Sequence, residues 1–531
     1  MKLFSNKLSQ IHLVLLVAGF LTFTGNFTFF EKTLRVYPLF ENLFFLGSLF
    51  LFLFTFLAVL LLLICYGKMT KPVLILLLLT SSVVSYSTNN YGIVFDLNMI
   101  TNTFETDSSE FFDLINYKSI LYLLILGILP SLFVWKIDSQ KLLFKEKLIQ
   151  RLKYFLILIV IFLAIILTFS KHYTSFAREN QDLKLYITPT YYLYSSAKFI
   201  SSKIASSSRP FVEIGLDANI NKKSINRRLV ILVVGETARS DHMSINGYGL
   251  KTNPYLEQEE IISFRKMTSC GTDTAWSVPC MFSLLDRSNY NHASGKNMSN
   301  SLDIISRAGV SVLWLDNNSD SKGVADRVPY KNYRSSELNS ICDPECRDEG
   351  MLTNIQDYID EQNNNDTLIV LHLMGSHGPA YYKRYPPEFE VFKPVCKTSQ
   401  LNECSDLEIT NAYDNSILYT DYFLSKVIEI LKVNSENSDN AMYYISDHGE
   451  SLGEGGLYLH GMPYFMAPEE QIKIPALIWF NDSISNLLDI SAIMKNTELQ
   501  QSHDSLFHTL LGLMDIETDL YNKELDVIVY E

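Results

Sequence analysis

Several apolar runs in this chain end in side chains that can hold a metal ion. "RLVILVVGE" leads into Glu236 and Thr237, "TLIVLHLMG" carries His372 and leads to His377, and "AMYYISDHG" ends in Asp447 and His448. Carboxylate oxygens and imidazole nitrogens are zinc ligands, and a zinc site that keeps one position open is of the catalytic kind. Such a site suits phosphoryl transfer, which needs a nucleophile, a way to activate it and positive charge around the phosphate oxygens. A Thr or Ser hydroxyl beside the ion could attack phosphorus near neutral pH without a separate histidine base. The candidates are Thr237, directly after the first run, and Thr272 and Thr274 in "SCGTDTAWSVPC". Plainer roles exist for the same residues. A carboxylate such as Glu236 often sits at a helix N-terminus, and Thr274 could be a helix N-cap.

These groups are far apart in sequence, so a scaffold must gather them. The three runs, with "VSVLWLDNN" and "IPALIWF", are continuous apolar stretches of strand length, as expected of strands buried on both faces. Helical patterns at about 300–308, 350–362, 408–433 and 499–513 fall between them. This alternation predicts an α/β fold around a largely parallel sheet. In such sheets ligands collect beyond the carboxyl ends of the strands. Gly449 is expected to give the turn that lets the adjacent Asp447 and His448 reach one ion.

The first third of the 531 residues is different. Apolar segments at about 12–30, 42–66, 73–88, 118–135 and 154–170 approach the roughly 20 residues needed to cross a bilayer. Lys2 and Lys7, Lys68 and Lys71, and the group Lys136, Lys141, Lys145, Lys147, Arg151 and Lys153 occupy alternate connections. Residues 89–117 instead carry Asp96, Glu105, Asp107, Glu110 and Asp113. The positive-inside rule then puts the N-terminus in the cytoplasm and, after five spans, everything beyond about 171 outside. The Tyr-rich stretch within 171–227 reads either as an interfacial helix or as a surface linker. The expected divisions are a five-helix membrane domain over 1–170, a connector over 171–227 and a catalytic domain over 228–531. Cys270 and Cys280, Cys342 and Cys346, and Cys396 and Cys404 are sequence neighbours, so three short disulfides in an oxidising compartment are the simplest proposal. A net charge of −14 suggests no nucleic-acid partner.

"VVGETARSDHMSINGYG", "SCGTDTAWSVPCMFS", "HLMGSHGPAYYKRYP" and "SDHGESLGEGGLYLHGMP" resemble, in order, motifs of the lipid A phosphoethanolamine transferases. That family includes the mobile colistin-resistance enzymes and lies within the alkaline phosphatase and sulfatase superfamily. The resemblance spans essentially the whole chain. It implies one tightly bound zinc on Glu236, Thr274, Asp447 and His448, with Thr274 as nucleophile. Glu450 would orient a ligand. His377 and His460 would bind the incoming phosphoryl group, protonate a leaving oxygen or hold a second zinc. Lys322 would contact phosphate with Asn318 nearby. Asn102, Thr106 and Glu110, in "NMITNTFETDSSE", would hold the ethanolamine end. His372 reads as a core histidine beneath the site, and His12, His172, His242, His292, His503 and His508 as structural or solvated. The chain departs from some relatives beside Lys322, where Ser321 and Ala325 stand in place of a cysteine pair; a looser loop is the expectation.

The reaction so implied moves phosphoethanolamine from phosphatidylethanolamine onto Thr274, and then onto lipid A, at the bacterial inner membrane, by a monomer. The added ammonium would weaken attraction of polymyxins. The alternatives are another envelope acceptor (core heptose, Kdo or a glycan), or a phosphoglycerol transferase or phosphatase on the same scaffold.

Overall fold

The computed structural model describes residues 8–105, 114–138, 143–207, 210–343, 345–362, 365–436 and 438–530. Two compact units emerge: Met1–Ile100 with Ile115–Lys198, and Thr101–Leu114 with Phe199–Glu531.

Among the described residues of the first unit four helices are long and apolar enough to span a membrane: Leu43–Ile64, Gly67–Tyr91, Tyr117–Lys136 and Phe144–Thr168. The apolar segment expected over 12–30 is not one straight helix. It forms Gln10–Thr24 and Phe27–Val36, bent by 54°. The break is chemically sealed. Asn26 Nδ2 donates to the carbonyl of Leu21 (3.2 Å), which also accepts from the Gly25 N–H (2.9 Å), and to that of Thr22 (3.3 Å) at the break. Asn26 also exchanges a pair of hydrogen bonds with the backbone of Thr188, both 2.9 Å. Freed carbonyls at membrane depth need such internal partners. The Ser- and Thr-interrupted segment runs longer than its apolar core because its hydroxyls turn inward. Ser81, Ser82 and Ser85 are buried, and the Tyr192 hydroxyl meets Thr80 Oγ1 at 2.7 Å. Beyond the last span the chain forms helices Ser170–Glu179 and Thr190–Ser207.

The second unit is built on a seven-stranded sheet. Its strands in chain order are β1 (Arg227–Gly235), β2 (Ile262–Ser263), β3 (Ser311–Asp316), β4 (Tyr330–Asn332), β5 (Thr367–His372), β6 (Ser438–Ser446) and β7 (Ala476–Phe480). Across the sheet the order is β2-β7-β6-β1-β5-β3-β4. The five strands from β6 to β4 are parallel, and β7 runs antiparallel to both β6 and β2. β1, β5 and β6 are buried on both faces, which is why β1 and β5 are nearly continuous Val, Ile and Leu and β6 carries the apolar and aromatic run Ala441–Ile445. One large core packs against one face of the sheet, from Val230 and Leu232 through Trp314 and Val370 to Phe507.

Two helix boundaries differ from expectation. The segment expected at 350–362 becomes helical only at Ile355, because Asp348–Leu352 is a 3₁₀ turn. The helix expected from 499 starts at Leu506, because Gln501–Ser502 pairs as a strand with Met267–Thr268. Three disulfides close short loops: Cys270–Cys280, Cys342–Cys346 and Cys396–Cys404.

Candidate active site and metal centre

The carboxyl ends of β1 and β6 are neighbours, with Gly235 opposite Ser446 in the register. The residues that follow therefore emerge side by side. Glu236 leaves β1, Asp447 and His448 leave β6, and all three are fully buried. The backbone then turns sharply at Thr237, whose φ of 55° is a strained conformation for a non-glycine residue. Asp447 Oδ1 holds this turn by accepting from the Thr237 N–H at 3.2 Å and from its neighbour's N–H, that of His448, at 2.7 Å. Gly449 serves a different purpose from the one expected. Its φ is not left-handed, but a Cβ there would lie 2.1 Å from the Glu470 carbonyl oxygen. Glycine is needed for close approach rather than for a turn.

Thr274 comes from a separate loop. Asp273 is the N-cap of the helix Thr274–Met281, its side chain accepting from the Trp276 N–H, so Thr274 is the first helical residue and not the cap. The Cys270–Cys280 disulfide ties this loop to its own helix. His503, expected to be merely structural or solvated, proves to be a buried strut of the site. Its Nδ1 accepts from the Cys270 N–H (3.0 Å), and its Nε2 donates to the Ser446 carbonyl (2.9 Å), linking the Thr274 loop to the end of β6. No sequence signal marks it, since its partners are 233 and 57 residues away.

The result is a tight cluster. Thr274 Oγ1 donates to Glu236 Oε2 at 3.0 Å and lies 3.4 Å from His448 Nε2. Asn318 Nδ2 donates to the same Glu236 oxygen at 2.8 Å. His448 Nε2 is 3.4 Å from Glu236 Oε1 and 3.3 Å from Asp447 Oδ2. Because His448 Nδ1 donates to the Gly449 carbonyl (2.9 Å), its Nε2 presents a lone pair. Three acceptor atoms thus face one another in a buried space, and neither Glu236 Oε1 nor Asp447 Oδ2 has a hydrogen-bond partner. Their mutual spacing is that of a metal-ligand set. Burial pushes the Glu236 carboxyl well up, with the Asp447 charge adding to it, and burial pushes Asp447 up to about 7. Burial also lowers His448. Buried unpaired acceptors of this kind are costly unless a cation joins them. The donor set, two carboxylates, an imidazole and a hydroxyl, fits zinc.

The other two candidate hydroxyls point elsewhere. Thr237 Oγ1 donates to the Glu236 carbonyl (2.8 Å) and Thr272 Oγ1 to the Met462 carbonyl (2.6 Å).

A second group adjoins the first. The His460 ring lies 4.5 Å from that of His448 and 5.3 Å from that of His377. Glu450 accepts from Tyr381 Oη (2.6 Å) and pairs with His460 Nδ1 (2.8 Å). It therefore orients His460. Burial opposes charge on His460, but the Glu450 carboxylate overrides it and raises the pKa to about 9. His377 is held neutral by burial and by His460, and its Nδ1 is buried without a partner. His448, Glu450 and His460 form a second metal-competent triad. His372 is buried beneath the site, its Nδ1 2.9 Å from Asp316 Oδ2.

The loop after β3 carries Asn318 and Lys322. Asp320 and Lys322 have φ of 92° and 53°, so this segment is wound tightly against steric preference. Asp316 Oδ1 accepts from the N–H groups of Asn318 (3.0 Å) and Asp320 (3.3 Å). Where some relatives place two cysteines, Ser321 Oγ accepts from the Ala325 N–H at 3.2 Å, and both residues are buried. Asn102 lies in the helix Leu97–Glu105, and Thr106 and Glu110 fall outside the described residues.

The matched families agree with this geometry. Residues 228–516 match the sulfatase family and residues 53–204 the family described as phosphoethanolamine transferase EptA/EptB. Phosphatidylethanolamine transferase Mcr-2 of Escherichia coli is 43% identical over 513 residues, 94% of either chain. The chain belongs to the EptA/Mcr phosphoethanolamine transferases. Phosphoethanolamine transferase EptA of Escherichia coli K12 is 35% identical over 532 residues, covering 98% of this transferase and 97% of the relative. The integral membrane lipooligosaccharide phosphoethanolamine transferase A from Neisseria meningitidis superposes with a TM-score of 0.95 at 34% identity, covering 98% and 99% of the two chains. This transferase thus has an α-helical membrane domain and a sulfatase-like α/β domain.

Proposed function

We propose that the transferase carries phosphoethanolamine from phosphatidylethanolamine to lipid A by way of a covalent phosphoethanolamine–Thr274 intermediate, with zinc held by Glu236, Asp447 and His448 beside Thr274. The observation that carries this reading is the buried convergence of unpaired acceptors around the Thr274 hydroxyl. Zinc, when bound, supplies positive charge to phosphate oxygens and lowers the pKa of an adjacent hydroxyl.

The chain's own groups fill the remaining roles. Thr274 Oγ1 attacks phosphorus as the bond to the diacylglycerol oxygen breaks, and its proton already points at Glu236 Oε2. His460, kept charged by Glu450, protonates the departing oxygen. In the second half-reaction an acceptor oxygen attacks phosphorus and gives its proton back to His460, while the bond from phosphorus to Thr274 Oγ1 breaks and Oγ1 takes back the proton left on Glu236. His377 and Lys322 bind phosphate oxygens, and Asn318 fixes Glu236. Asn102, Thr106 and Glu110 hold the ethanolamine end, with Glu110 facing the ammonium. A second zinc held by His377 and His460 requires a neutral His460 and is the alternative to its acid role.

Relatives named phosphatidylethanolamine transferases support the donor, and a relative named for lipooligosaccharide supports an envelope glycolipid acceptor. A more distant relative is named a Kdo(2)-lipid A phosphoethanolamine 7''-transferase, which keeps a core sugar as the second acceptor reading. The lysine-rich connections support a cytoplasmic N-terminus, an inner-membrane location and a periplasmic catalytic unit. Mass spectrometry of lipid A from cells with and without the protein tests the proposal. One added phosphoethanolamine on lipid A is expected; addition only to core sugars would replace lipid A as the acceptor.

A further inference from the structure

Lys322 is the residue proposed to meet substrate phosphate, yet its ammonium is already engaged. It donates to the Ser319 carbonyl and Oγ, both at 2.8 Å, and to the Glu105 carbonyl at 3.2 Å. The third acceptor is unlike the others. Ser319 belongs to the same strained loop, whereas Glu105 is 217 residues away at the end of the helix Leu97–Glu105. Whatever fixes Glu105 therefore fixes one of the three directions in which Lys322 is held.

What fixes Glu105 is a lysine from a third segment. Lys296 Nζ lies 3.2 and 3.4 Å from the two carboxylate oxygens of Glu105, with side-chain exposures of 26% and 19%. Lys203 approaches the same carboxylate at 3.8 Å but is 59% exposed. An exposed pair of that kind contributes little, and a largely buried one is costly to break from one side. Phe104 stacks on Phe199 at 5.0 Å beside the pair. Lys296 directly follows the helix His292–Gly295, and His292 packs on Trp276 at 4.6 Å, in the same helix as Thr274. The chain of contacts from Lys296 thus runs both to the phosphate-side lysine and to the nucleophile's own helix.

Charge completes the argument. Lys203, Lys296 and Lys322 converge on this one carboxylate and its backbone carbonyl. Burial lowers the Lys296 pKa, and Lys203 and Lys322 push it the same way, while Glu105 opposes them. Without the Glu105 charge the three ammonium groups would repel and turn outward.

We propose that Glu105 and Lys296 are positioning residues: their ion pair sets the Glu105 carbonyl that aims the Lys322 ammonium, and so tunes phosphate binding without touching substrate. The proposal rests on the reading of Lys322 as a phosphate ligand. Its test is a double-mutant cycle on the full-length enzyme in lipid nanodiscs, following turnover of head-group-labelled phosphatidylethanolamine. Lys322→Ala is expected to lower kcat/KM by about 30-fold or more, and Lys296→Met or Glu105→Gln by about tenfold. The double variant Lys296→Met/Lys322→Ala should be no worse than Lys322→Ala, because the pair acts through Lys322. Lys296→Arg, which keeps the ion pair, should recover most of the loss. Losses that multiply in the double variant, or an unaltered Lys296→Met and Glu105→Gln, would overturn the positioning role while leaving Lys322 in place. An unaltered Lys322→Ala would instead remove the phosphate reading and the positioning role with it.

Discussion

Three threonines lie near the end of β1 and in the loop before the Thr274 helix, and hydrogen bonding separates them. Thr274 is the one whose hydroxyl faces Glu236 and His448. Thr274→Ala is therefore expected to abolish transfer of label from phosphatidylethanolamine to protein and to cut kcat by at least about 10³-fold. Thr237→Ala and Thr272→Ala should retain labelling, losing only about 1 kcal/mol of stability for one internal hydrogen bond. Labelled Thr274→Ala protein would disprove the assignment. Asn318 yields a second test. Its amide fixes one Glu236 oxygen, leaving the other to face His448. Groups that orient metal ligands typically contribute 10–100-fold to affinity, so Asn318→Ala should weaken zinc binding by roughly that factor in a chelator competition. Unchanged affinity would reduce Asn318 to a packing residue.

At the scale of elements, β1 must deliver Glu236 from one end, and it is anchored at the other by a buried charge cluster. Arg228 is buried, with its guanidinium 3.2 Å from Asp439 and 2.9 Å from Asp515. Its N–H donates to Asp366 at 2.8 Å. Removing one partner of a buried pair leaves uncompensated charge, at a cost of about 3–5 kcal/mol. Arg228→Leu should lower the thermal midpoint of the catalytic unit markedly, and an unchanged midpoint would show that the aspartates are neutral or rehydrated. This anchor was not legible in advance, because a pair of arginines before an apolar run looks like a solvated strand end. The central strands were legible, since burial on both faces writes itself as continuous apolar runs, Val, Ile and Leu in β1 and β5 and Ala441–Ile445 in β6. The two-residue β2 and three-residue β4 were not, because edge pairing that short leaves no periodicity. The same limit explains His503 and the sealed bend at Asn26. Each depends on a partner distant in sequence, and hydropathy registers composition rather than which carbonyl is satisfied. The candidate ligands Glu236, Asp447 and His448 were legible because they directly follow strands. The polar contacts of the Lys322 loop, the Ser321–Ala325 hydrogen bond and the Asp316 clamp, were not legible, because a hydroxyl or carboxylate does not announce its backbone partner.

For the molecule as a whole, metal and membrane topology set two separate constraints. If a cation joins the facing acceptors of Glu236, Asp447 and His448, its removal should destabilise the folded state as well as stop turnover, because a ligand that binds only the native form adds RT ln(1 + [L]/Kd) to stability. Treatment with a strong chelator should lower the thermal midpoint, and zinc should restore midpoint and activity together. A midpoint indifferent to chelation would argue that the acceptors share protons instead. Topology is testable without the first, bent span. Residues near 41 and residues near 145 lie on opposite sides of the membrane if Leu43–Ile64, Gly67–Tyr91 and Tyr117–Lys136 each cross once. The six cysteines of the catalytic unit are bridged and Cys65 is buried, so an introduced thiol reports cleanly. Glu41→Cys should react with a membrane-impermeant thiol reagent in spheroplasts, and Lys145→Cys only after permeabilisation. The reverse pattern would place the catalytic unit in the cytoplasm, away from any lipid on the outer leaflet.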